Sequence, residues 1–257
     1  MQKGGYYFSK TSDPYINDKY QLHCHSFYEL YYFINGDIKY MVEGKIYTPK
    51  PYSIFLFKPG VVHGLQNVSD TTYTRYTFHF DEEFLPIEHK ELLLSSFHGE
   101  SIYFENINLV SSADLVLEAK TFEDETLSDF AIKLRFETLL TQLFPLGNLK
   151  GDDPKDNLAF KITAYIDENF NKNLCLGTIA STFFISKSQL SRIFKKDLNS
   201  TVGNYIALKR SVKAKQLINQ GYSASTVATL CGFKDYSTFF RTYKKHMGVS
   251  PTVAKEE

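Results

Sequence analysis

Short runs of aromatic and β-branched residues, each ended by turn formers, fill the stretch from Glu29 to Phe80: ELYYFI, IKYMVEG, KIYTP, SIFLFKPG and TRYTFHF. That texture predicts strands of an antiparallel sheet or barrel. From about Ser111 the apolar period becomes helical. In SDFAIKLRFETLLTQLF, Ile132, Phe136, Leu139, Leu140 and Leu143 recur at i, i+4, i+7, i+8 and i+11 and form one stripe. The stripe has two uses, packing on the sheet or pairing with its copy in a second subunit, and we expect the second, which makes the protein a homodimer. Turn and breaker residues then cluster in PLGNLKGDDPKDN, 145–157. The expected division is a front domain at 1–145, a linker at 146–156 and a helical domain at 157–257.

Beyond Asn157 every apolar pattern is helical. NLAFKITAYIDENF sets Leu158, Ile162, Tyr165, Ile166 and Asn169 on one face, LGTIASTFF is a short helix, and SKSQLSRIFKKDL is another with Ser186 as its N-cap. VGNYIALKRSVKAKQLINQ predicts a long helix stopped by Gly221, after which ASTVATLCGF and DYSTFFRTYKKHMG repeat the short pair. The repeat is specific. SQLSRIFKK at 188–196 and STFFRTYKK at 237–245 share their serine, apolar, arginine, aromatic and lysine positions. Leu190/Phe239, Phe194/Tyr243 and Asn199/Gly248 are offset by 49, but Ala180/Ala228 by 48, so the second turn is one residue longer.

A short helix with a small residue, a tight turn and a second helix make a helix-turn-helix, whose second helix can enter a major groove. Leu190, Ile193, Phe194, Phe239 and Tyr243 would face the core. Ser188, Ser191, Arg192, Tyr236, Ser237, Phe240 and Arg241 are then the base-reading candidates, since arginine beside exposed aromatics suits base edges and thymine methyls. Lys187, Lys195, Lys196, Lys244 and Lys245 are placed for phosphates.

Charge agrees with this division. Residues 152–257 hold 16 Lys+Arg against 9 Asp+Glu, or +7, which leaves 29−16=13 against 29−9=20, or −7, for the front. A basic back half suits a polyanion. Cys24, Cys175 and Cys231 form no CxxC pair and are expected to be reduced, packed thiols. No apolar run is long enough for a bilayer and MQKGGYYFSKTSDPY lacks a signal-peptide core, so no membrane partner is expected and the location is expected to be cytoplasmic. Met1 to Asp18, with Tyr6, Tyr7, Phe8 and Tyr15, shows little strand character and is expected to be an arm closing over the barrel mouth.

Residues 158–254 resemble the double helix-turn-helix domain of the AraC/XylS family of bacterial transcription regulators, most specifically in GFKDYSTFFRTYKKHMGVSP at 232–251. Asn199 stands where the family's first copy usually has glycine, and Ser211 where an aliphatic residue usually follows Arg210. The resemblance implies two recognition helices reading successive major grooves of double-stranded DNA, joined by a helix of ~18 residues and ~27 Å. It also implies RNA polymerase as a partner of an activator.

The front half carries HCHSFYE with Gly36, then PGVVHGLQN, which resemble the cupin motifs H-x-H-x3-E-x6-G and P-G-x2-H-x3-N. The fold expected is therefore α+β with two domains: an antiparallel cupin or jelly-roll β-barrel with helices, followed by an all-α double helix-turn-helix. His23, His25, Glu29 and His63 form a set suited to a transition metal. In regulators of this kind the resemblance implies instead a metal-free pocket for a small effector such as a sugar, lined by His23, His25, Glu29, Tyr31, Tyr40, His63 and His79. We expect a regulator that is not an enzyme and has no cofactor. The alternative is a cupin metalloenzyme with an accessory DNA-binding domain.

Overall fold

Strand β2 (Tyr28–Asn35) is apolar without a break from Leu30 to Ile34 because both of its faces are covered. Successive side chains point to opposite faces. Tyr28, Leu30 and Tyr32 join one buried cluster and Tyr31 and Phe33 another. The computed structural model describes residues 5–13, 22–99, 102–105, 119–124, 126–144, 146 and 157–251. The expected linker, Leu146 apart, and residues 1–4 and 14–18 of the expected arm lie outside them.

The expected barrel takes the form of two antiparallel sheets. The larger adds β1 (Tyr6–Asp13), β5 (Ser53–Phe57), β7 (Tyr73–Phe80) and β8 (Tyr103–Phe104), in the order β1-β7-β2-β5-β8. The smaller is β4 (Lys45–Tyr47), β3 (Ile38–Val42) and β6 (His63–Asn67), in the order β4-β3-β6. Between them lies an aromatic core that includes Tyr31, Phe33, Tyr40, Phe55, Phe57 and Tyr73.

Two expectations are corrected here. Tyr6–Asp13 is not a free arm: it pairs in register with β7 along its full length, Tyr6 opposite Phe80 and Asp13 opposite Tyr73. The stripe is not a dimer seam either. Helix α1 (Lys90–Leu94) and α2 (Asp129–Leu143) cover the outer face of the larger sheet, and Phe136, Leu139, Leu140 and Leu143 are buried against it, with Ile132 half-buried. Phe136 stands 4.8 Å from Phe80 and 5.7 Å from Phe78, ring to ring. Apolar side chains adjacent in one chain reach this contact without the entropy loss of association, so the stripe closes the monomer's own core.

The back half begins with α3 (Leu158–Asn169), capped by Asn157, whose Oδ1 accepts from Phe160 N–H at 2.8 Å. It continues through α4 (Leu176–Thr182), α5 (Lys187–Leu198), the long α6 (Val202–Asn219), α7 (Ala224–Leu230) and α8 (Tyr236–Met247). Four residues, 183–186, join α4 to α5 and five, 231–235, join α7 to α8, the one-residue difference read from the repeat. Gly232 permits the longer turn: its φ is +76°, and a Cβ there would lie 2.4 Å from the Asn171 carbonyl oxygen. Ser211 is fully buried, its hydroxyl donating to the Ala207 carbonyl at 2.8 Å. The first motif shares a core with Leu22, Cys24, Met41 and Val62 of the front half, whereas the second packs its Val227, Phe239 and Tyr243 with Ala214 and Ile218 of α6.

Candidate functional sites

The recognition helices are set by matching caps. Ser186 Oγ accepts from Gln189 N–H at 3.0 Å and Asp235 Oδ1 from Thr238 N–H at 2.7 Å. The Thr238 N–H and hydroxyl hold the Asp235 carboxyl below its ordinary range. Both helices end in the left-handed region, Asn199 at φ 45° and Gly248 at φ 76°. Asparagine is among the side chains that enter this region most readily, which reconciles it with the glycine of the second copy. Leu190, Phe194, Phe239 and Tyr243 are buried, so the opposite faces are free. Ser188, Ser191, Arg192, Tyr236, Ser237 and Arg241 are exposed, as are Lys187, Lys195, Lys196, Lys244 and Lys245; Phe240 is half-buried beside Tyr236. Phe184, in the first turn, is 96 % exposed with φ 54° and was not singled out from the sequence. Cys24 and Cys231 are buried thiols, pushed up to about 12 and about 11 by burial, but Cys175 is exposed and caps α4, contrary to expectation.

In the front half, parity puts Glu29 on the inner face of β2 with Tyr31, and register sets it directly opposite His79 of β7. Its side chain is only 3 % exposed. Three imidazoles converge on its Oε2: His25 Nε2 at 2.7 Å, His63 Nε2 at 3.3 Å and His79 Nε2 at 3.5 Å. Burial alone would raise the Glu29 carboxyl, but contacts from His25, His63 and His79 outweigh it and hold it well below the usual carboxylate range.

The second nitrogens are already committed. His25 Nδ1–H donates to the Phe27 carbonyl at 2.9 Å and His63 Nδ1–H to the Val61 carbonyl at 3.0 Å. Each Nε2 would therefore present a lone pair to a carboxylate unless a proton or a metal cation lay between them. Imidazoles anchored through Nδ1 in this way are oriented as metal ligands are, and donor atoms of His25, Glu29 and His79 all lie within 4.8 Å of one another. The residues fit a divalent transition ion, which would supply a Lewis acid for a ligand oxygen.

Other sequence candidates lie differently. His23 is exposed beside the cluster, bridged to His63 through the backbone with its ring 4.3 Å away, and it is His79 that completes the set of donor atoms with His25 and Glu29. Tyr31 and Tyr40 are 0 % and 2 % exposed, packed on Phe55 in the core, with the Tyr31 hydroxyl bonded to that of Tyr73. They are walls of the core, not surfaces on which a sugar ring could stack. A cavity of about 490 Å³ is lined by residues that include Asp81, Glu82, Glu83 and Lys215 and does not reach the imidazoles. A cavity of about 260 Å³ does, at His79, with Tyr7 and Phe27, and one of about 80 Å³ does at His25.

Comparison with known proteins joins the two sites. An AraC-like ligand binding domain matches residues 5–144, more than half of the 257, and a helix-turn-helix domain matches 179–257. The chain belongs to the AraC family of transcription regulators. It is 26% identical to the HTH-type transcriptional regulator YfiF of Bacillus subtilis, over 90% of this chain and 77% of that protein. It is 22% identical to the HTH-type transcriptional activator RhaS of Mannheimia succiniciproducens, over 89% and 87%. The match to the probable transcriptional regulator LumQ of Photobacterium leiognathi, 30% identical, spans about half of each, 54% of this chain and 55% of that one. Among solved structures, fatty-acid-bound ToxT of Vibrio cholerae is 15% identical over 98% and 96% of the chains, with a TM-score of 0.40. This AraC-family chain thus pairs a ligand-binding front domain with a DNA-binding back domain.

Proposed function

We propose that a small metabolite, a sugar or a related hydroxylated compound, binds at the Glu29 cluster and changes how the two helix-turn-helix motifs engage double-stranded DNA. One placement carries this reading. The cavity at His25 is walled on one side by Cys24, Pro59 and Gly60 and on the other by Val212, Gln216 and Asn219 of α6. A ligand held by the imidazoles therefore touches the helix that joins both motifs, and a ligand shifts an equilibrium only through such differential contact. The product is a transcription activator that works with RNA polymerase in the cytoplasm and is not an enzyme; among the described residues no helix is long and apolar enough to cross a membrane. Thermal shift against a panel of sugars and hydroxy acids, followed by DNA titration with each stabilising compound, tests it. A compound at 100 times its Kd should stabilise the chain by about 2.7 kcal/mol and change DNA affinity. Stabilising compounds that all leave DNA affinity unchanged would reject the reading.

A second reading, that a divalent ion assists the effector, is favoured by the paired acceptors at His25 and His63. Metal analysis of chain purified without chelators should then find a stoichiometric ion that is lost in Glu29→Gln. A metal-free chain that still binds its effector rejects it.

The homodimer remains part of the proposal, through a different face. Phe130 and Leu134 on the free side of α2 are 77% and 55% exposed, and Leu92 on the neighbouring α1 is 51% exposed. Phe130→Glu with Leu134→Glu should leave a folded monomer by sedimentation, with DNA binding weaker by about tenfold or more once the second subunit's contacts are lost. A double variant that remains dimeric refutes this seam.

A further inference from the structure

The β3–β4 hairpin carries an ionic side chain where its turn favours another residue. Glu43 and Gly44 form the two-residue turn with φ of 47° and 83°. Such a turn prefers asparagine, aspartate or glycine at its first position, and a strained residue persists where its surroundings over-determine it. Here they do. Glu43 N–H donates to the Val62 carbonyl at 2.8 Å, and Val62 N–H donates to Glu43 Oε1 at 2.7 Å. The Thr163 hydroxyl of α3 donates to the Glu43 carbonyl at 3.2 Å, and Lys209 Nζ of α6 meets Glu43 Oε2 at 2.7 Å and Asp167 Oδ2 at 3.0 Å. Gly44 allows the approach, since a Cβ there would lie 1.9 Å from Thr163 Oγ1.

The hairpin thus reaches α3 and α6, the frame of the first motif; among the described residues the buried cluster of the second motif holds back-half side chains, and its Met247 lines a cavity with Cys24, His25 and Pro59 of the front half. Val62, which the Glu43 side chain holds, directly precedes His63 of the imidazole cluster. Arg210, beside Lys209, donates to the Phe170 and Lys172 carbonyls at 2.8 and 3.0 Å and ties α6 to the end of α3, so the two helices move as one.

We propose that Glu43, Lys209 and Asp167 form an autoinhibitory latch that holds the front half against the first helix-turn-helix and weakens DNA binding until the hairpin releases. Charge sets the direction. The front carries −7 and the back +7, by the count above. Docked, the acidic half lowers the attraction of the first motif for a polyanion, and Lys209 is matched by two carboxylates. Docking also fixes the frame of the first motif, which hinders the joint adjustment of the two motifs to successive grooves. The latch rests on the reading that the front half regulates the back half, but it names the contact that does so.

The test uses the full chain without effector and a DNA site selected by the wild-type protein from random sequence. Glu43→Gln removes the charge. Glu43→Asn suits the left-handed turn and is shorter, so it keeps the hairpin if glutamine does not fold. Each should tighten DNA binding by about five-fold or more, Lys209→Met should not add to Glu43→Gln in the double variant, and the exposed control Asp70→Asn should leave affinity unchanged. Unchanged or weaker binding in either Glu43 variant overturns the latch, as does equal tightening by Asp70→Asn. Failure here leaves the effector reading standing, because that is decided by ligand-induced stabilisation of the unaltered chain.

Discussion

Glu29→Ala lowers the stability of the front half by about 3–5 kcal/mol, the cost of removing one side of a buried charge cluster. The size follows from position. Glu29 is 2% exposed, and three imidazole nitrogens within 3.5 Å share its Oε2. Alanine leaves His63, itself fully buried, with its Nε2 facing no counter-charge, and also opens a void beside Phe57, whose ring stacks 4.4 Å from that of His63. Domain stabilities run at about 5–15 kcal/mol, so the variant should unfold at markedly lower urea concentration. Glu29→Gln keeps the volume and one acceptor and should lose less. Urea unfolding followed by near-ultraviolet circular dichroism separates them. Equal midpoints for wild type and Glu29→Ala would mean that the cluster is held by its walls rather than by its carboxylate.

The back half was legible in the sequence because everything that defines it is local: helical apolar spacing, Ser186 and Asp235 at N-caps, Asn199 and Gly248 at C-caps, and a motif repeated 49 residues apart. The front half was legible in strand positions and in the histidines, but less so in where side chains end. Tyr6–Asp13, YYFSKTSD, shows little strand character in sequence because three aromatics are followed by five polar residues with no alternation; pairing with β7 imposes the strand. The α2 stripe fits a sheet and a second helix equally well in sequence, and only the position of Phe78 and Phe80 decides between them. Tyr31 and Tyr40 share parity with pocket residues yet lie deeper, because their strands carry aromatics on the same inner face. Glu43 and Lys209 are 166 residues apart, and no periodicity connects them. The EG pair in IKYMVEGKIY did mark a tight hairpin, the signal from which an exposed ionic tip could have been suspected.

Arg192→Ala with Arg241→Ala weakens binding to a selected DNA site by about 2–6 kcal/mol, the sum of about 1–3 kcal/mol for each arginine removed from a base edge. Both side chains are exposed one turn into their helices, on faces opposite Leu190 and Phe239, which are fully buried. The two losses should add, because α5 and α8 belong to separate cores joined through α6 and the sites share no partner. Each single variant should relax sequence choice over its own few base pairs only. Lysines later in the same helices give the contrast: Lys196→Ala or Lys245→Ala should weaken cognate and scrambled DNA alike and reduce the dependence on salt, since a phosphate contact releases counterions without reading a base. Titrations of wild type and all five variants on cognate and scrambled duplexes at two salt concentrations decide the matter. Arginine variants that lose affinity equally on both duplexes would demote Arg192 and Arg241 to phosphate contacts, and base reading would then fall to Ser188, Ser191, Tyr236, Ser237 and Phe240.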